Sequence, residues 1–71
     1  MVEVFKTNVI DPDHANMLIS KIQHHFDSCK ANFDLNDCDK ILRVASSDYI
    51  DPSLLIGILH NYGFDAQVLP D

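Results

Sequence analysis

Thr7–His14 reads T-N-V-I-D-P-D-H. An extended run rich in β-branched residues ends in this stretch, and a helix starts at Asp11-Pro12. Asp11 is a natural N-cap, because its carboxylate can accept the free backbone N–H groups of the first turn. Pro12 suits the first helical position, where an N–H would have no partner in any case. Upstream, residues 2–9 supply Val2, Val4, Phe5, Thr7 and Val9 and read as a strand. Which alternate set faces inward stays open, since Val2 and Val4 fall on one parity and Phe5 and Val9 on the other. Downstream, Ala15, Leu18, Ile19, Ile22 and Phe26 recur at helical spacing, so residues 12–26 form an amphipathic helix.

The remainder repeats this scheme. Residues 29–36 and 40–46 alternate apolar and polar side chains around the turn-forming Asn36-Asp37-Cys38-Asp39, as a β-hairpin does. After a connector at 46–48, Asp51-Pro52 is a second cap-plus-proline start. It opens a helix over 52–61 with Leu55, Ile58, Leu59 and Tyr62 inward and Leu54 at the edge. Gly57 within that helix costs about 1 kcal/mol relative to Ala and points to close packing there. Gly63 is the expected left-handed residue after the helix. Residues 64–69 form the last strand, with Phe64, Ala66 and Val68 on one side. The order βαββαβ predicts an α+β domain of the ferredoxin-like type, a four-stranded antiparallel sheet with two helices on one face. It spans residues 1–71 as a single domain.

Composition narrows the function. With 71 residues and 46% apolar content, the chain is a folded globule near the size at which one core suffices. No apolar run approaches the roughly 18 residues of a membrane span. The first residues, M-V-E-V-F-K, lack the pattern of a signal peptide, so the expected location is cytoplasmic. Eleven acids, ten of them Asp, against five bases give a net charge of −6. That surface repels phosphate backbones and anionic lipid, which argues against nucleic acid and membrane as partners. A basic protein or a cation is favoured electrostatically, although solubility alone explains many acidic surfaces. Cys29 and Cys38 lie about nine residues apart along a strand and turn, too far for a bridge at about 3.3 Å per residue, so both are expected as free thiols.

From Ala31 onward three pieces stand out: Phe33-Asp34-Leu35, Ile41-Leu42-Arg43-Val44 and Ile58-Leu59-His60-Asn61-Tyr62-Gly63-Phe64-Asp65-Ala66. On these the chain resembles the heavy-metal-associated (HMA) domain of copper chaperones and metal-transport ATPases. The resemblance implies a metal loop between the first strand and first helix, built there on Met-x-Cys-x-x-Cys. Aligned through Leu18 and Ile22, this chain puts Val9 at the methionine and Asp11 and His14 at the two cysteines. The soft thiolates that select Cu(I) are therefore replaced by an oxygen and a nitrogen donor.

Two functional readings follow. In the first, the chain is a non-catalytic binding or interaction module, with no cofactor. It engages a protein partner through the first strand–helix junction or the acidic hairpin, as a monomer or weak homodimer. In the second, it is a divergent metal-binding domain in which Asp11 and His14, with Asp13 nearby, hold Zn(II), Ni(II) or Cu(II). An N-cap carboxylate is already engaged by backbone donors, which favours the first.

Other candidates are weaker. His24 and His25 diverge by about 100° on a helix and cannot share an ion. His60 suits the negative end of the second helix. Residues 34–45 place Asp39 and Ala45 where a calcium loop needs Gly and Glu. Cys38 has two negative neighbours, which makes it a poor nucleophile. An acylphosphatase would need an arginine in the first loop, and the single arginine is Arg43. An RNA-recognition sheet would need aromatics on its third strand, and 41–46 has none. No residue set supports a reaction.

Overall fold

A computed structural model describes residues 1–70. The elements are β1 (Val2–Thr7), α1 (Pro12–His25), β2 (Cys29–Asp34), β3 (Ile41–Ser46), α2 (Pro52–Asn61) and β4 (Ala66–Val68). The strands form one antiparallel sheet in the order β2-β3-β1-β4, and the helices pack on it.

Register settles the parity of β1. Phe5 pairs with Leu42 and Glu3 with Val44, while across the next ladder Ala31 pairs with Val44 and Phe33 with Leu42. Side chains opposite one another share a face, so Phe5, Thr7, Ala31, Leu42 and Val44 point to the core, and all five are buried. The helices contribute Ala15, Leu18, Ile22, Leu55 and Leu59 to the same cluster. Val2 and Val4 fall on the opposite face, and Val2 is exposed.

Several boundaries differ from the sequence expectation, each for a local reason. β1 ends at Thr7 rather than Val9, because the Thr7 hydroxyl accepts the Val9 N–H at 3.2 Å and turns the chain while Val9 stays fully buried. α1 stops one residue early, with Phe26 as its C-cap. The hairpin strands are shorter because the Asp34 carboxylate accepts the Asn36 N–H and the Asp37 carboxylate accepts the Asp39 N–H. These Asx turns take backbone groups out of the ladder.

β4 begins at Ala66 rather than Phe64. The Gly63 N–H donates to the His60 carbonyl and the Phe64 N–H to the Leu59 carbonyl, both at 3.0 Å, which is a Schellman cap. Gly63 takes φ +86°, as such a cap requires. Phe64 thus ends a helix rather than starting a strand. Tyr62, read from the sequence as inward, is 44% exposed. Gly57 is not a close-packing site either, since a Cβ there would meet nothing within 4 Å.

Candidate functional site

The β1–α1 junction, where the family resemblance places a metal loop, is built by four interactions, two of them with residues distant in sequence. Thr7 Oγ1 donates to the Lys40 carbonyl and so ties the end of β1 to the hairpin. The Asn8 side chain accepts the Asp65 N–H at 2.9 Å, which joins this loop to the one after α2. Val9 plugs the core beneath. Asp11, in extended conformation (φ −94°, ψ 125°), caps α1 by accepting the Asp13 N–H at 2.8 Å, and Pro12 follows at the first helical position.

Asp11 and His14 therefore both sit in the first turn of α1, as the spacing requires. Their side chains are engaged differently. One Asp11 oxygen is committed to the helix cap. The exposed His14 imidazole lies against the Phe64 ring, with centroids 5.3 Å apart at 54°. Phe64 is held there by the Schellman cap of α2, a contact for which the sequence carries no local signal. Between Val9 and Asp11, Ile10 stands 73% exposed on a loop anchored at both ends.

The donor set does not fit the thiolate-bound cargo that the resemblance implies. Where two soft sulfurs would converge, this loop offers one carboxylate occupied by a backbone donor and one imidazole packed on an aromatic ring. Among the described residues, the one group of three metal-capable side chains within 4.8 Å is Asp37, Cys38 and Asp39 in the hairpin. Those carboxylates also have work of their own. Asp37 accepts the Asp39 N–H, and Asp39 faces the Lys6 ammonium at 3.8 Å, a partly exposed pair of small energetic weight.

The remaining polar groups serve the fold. Asp51 accepts both the Ser53 N–H (3.0 Å) and the Ser53 hydroxyl (2.9 Å), and these bonds hold its carboxyl below the ordinary range. Both cysteines are free, with Cys29 buried and Cys38 exposed. Burial pushes the Cys29 thiol up. His24 and His25 meet edge to face at 6.1 Å on the exposed end of α1. No family model, curated protein or solved structure matches this chain.

Proposed function

We propose that this chain is a non-catalytic interaction module on a ferredoxin-like scaffold of the heavy-metal-associated type, docking a protein through the end of the molecule that carries Ile10. The element order and the strand order support the scaffold assignment. The observation that carries the docking reading is Ile10: a large apolar side chain, 73% exposed, on a loop pinned by Thr7, Val9, Asn8 and the Asp11 cap. A pinned loop loses little entropy on binding, and full burial of such a side chain contributes about 1.5–3 kcal/mol. The exposed acids of a chain with net charge −6 favour a basic partner surface around that anchor.

The reading is tested in two steps. Amide NMR with Zn(II), then with Cu(I) under reducing conditions, is expected to leave Val9–Ala15 and the His14 ring unshifted. A saturable site there at micromolar metal would instead make Asp11 and His14 ligands and overturn the proposal. A photo-crosslinking residue at position 10 is then expected to capture a defined protein that the same residue at position 24 does not. Ile10→Glu should abolish binding of that purified protein with the spectrum of the fold unchanged. Equal capture from both positions, or undiminished binding of the variant, would sink the assignment.

A further inference from the structure

The two edges of the sheet are treated differently. At β2 two of the three outward backbone donors are closed from within the chain: the Cys29 N–H donates to the Phe26 carbonyl at 3.1 Å and the Ala31 N–H to Gln23 Oε1 at 3.2 Å, which leaves Phe33 at the far end of the strand. This is how a protein blunts an edge. At β4 the ladder leaves the opposite situation. The Leu69 N–H donates to the Val4 carbonyl at 2.9 Å, so Val4–Leu69 is a hydrogen-bonded pair. Given the register Phe5–Val68, Lys6–Gln67 and Thr7–Ala66, the alternation of antiparallel pairing makes Lys6–Gln67 the next bonded pair. Ala66 and Val68 then turn their N–H and C=O groups away from β1, toward the open side.

Charge distinguishes this side as well. From Pro52 to Pro70 the chain carries one charged side chain, Asp65, in a molecule of net charge −6. α2 and β4 pack together and so present a nearly neutral flank. Val68 adds apolar surface at the edge, being 36% exposed. Two copies of an acidic chain repel through most of their surfaces. Electrostatics therefore favours a self-contact at this flank, where Asp65 is the one acid between Pro52 and Pro70.

We propose that a second copy of this chain adds to that edge, β4 against β4 in antiparallel about a twofold axis through Gln67, giving one continuous eight-stranded sheet. In this register Ala66 of each copy pairs with Val68 of the other, and the four outward N–H groups meet the four outward carbonyls. Asp65 then faces Leu69 of the other copy and no acid opposes an acid. Ala66 and Val68 become cross-strand neighbours on the helix-covered face, which is an apolar pair of the stabilising kind. Pro70 stops the added ladder at three residues. A standard interface buries about 800 Å² per partner, about a sixth of the 4524 Å² exposed here, and so short a strand with one helix flank supplies less. The dimer is accordingly weak and concentration-dependent. It does not use Ile10 and does not depend on the docking reading.

The axis makes a sharp test. Gln67 would sit opposite its own copy in a non-hydrogen-bonded pair, where Cβ atoms are closest. Sedimentation of the wild-type protein from micromolar to millimolar concentration is expected to show monomer going to dimer. Gln67→Glu alone and Gln67→Lys alone should each stay monomeric, and an equal mixture of the two should recover the dimer through a Glu–Lys pair. A wild-type protein that stays monomeric at millimolar concentration would overturn the proposal. So would variants that associate as the wild type does, or a mixture that fails to recover.

Discussion

Asp11 is the residue on which the structural and metal readings diverge most, and two substitutions separate them. Its carboxylate makes one cap hydrogen bond, to the Asp13 N–H at 2.8 Å. Removing such a cap typically costs about 1 kcal/mol, within a range of roughly 0.5–2. Asp11→Ala should therefore lower stability by about that amount, which for a domain of this length corresponds to roughly 4–8 °C in Tm. Asp11→Ser keeps an oxygen acceptor at the cap but deletes the carboxylate. Because serine caps about as well as aspartate, that variant should stay within a few tenths of a kcal/mol of the wild type. Urea unfolding followed by circular dichroism at neutral pH reads both, with the midpoint shifting at constant slope. If Asp11→Ser loses as much as Asp11→Ala, the carboxylate does something that a cap does not, and the structural reading fails. A harmless Asp11→Ala would show instead that the cap bond adds nothing to stability.

Other expectations follow from single residues. Gly57→Ala should raise stability by up to about 1 kcal/mol, since a helix-interior glycine is replaced at a position where a Cβ meets nothing within 4 Å; a loss of stability in the same urea assay would refute this. Stability should also fall on the alkaline side. The Cys29 thiol is raised by burial from an ordinary value of 9.0, so above about that pH the unfolded chain ionises while the folded one keeps its proton. That contribution is fully present below the unfolded value and is lost as pH rises toward the folded one. Cys29→Ala should flatten this limb, and an unchanged slope of stability with pH would exclude the thiol as its cause.

Much of the fold was legible because it is written in local chemistry. Both Asp-Pro helix starts are used as caps, the apolar stripes of α1 and α2 supply Leu18, Ile22, Leu55 and Leu59 to the core, and Gly63 takes the left-handed conformation. The element ends were less legible because they depend on competing hydrogen bonds. Thr7 diverts Val9 from β1, Asx turns shorten the hairpin strands, and the Schellman cap takes Phe64 from β4. Tyr62 fits the helical stripe, yet it is the C-cap, where the backbone has left the helical conformation and the stripe no longer continues, and it is exposed. At the candidate site, the spacing placed Asp11 and His14 in one turn. Nothing in it indicated that the imidazole would rest on Phe64, fifty residues away.

By itself, then, the sequence determined what depends on neighbours within about four residues: the helix starts, the amphipathic faces, the turn at the acidic hairpin and the lack of paired cysteines at the β1–α1 loop. These follow from backbone geometry and side-chain donors close in the chain. The tertiary structure alone decided which face of β1 is buried, which sheet edge is mostly closed and which stays open, and how the β1–α1 loop is tied to the loop after α2. Each of those is set by partners distant in sequence: Leu42 and Val44 opposite β1, Gln23 over β2, and Asp65 against Asn8. A pattern with period two fits either face of a sheet equally well until its neighbouring strand fixes the register.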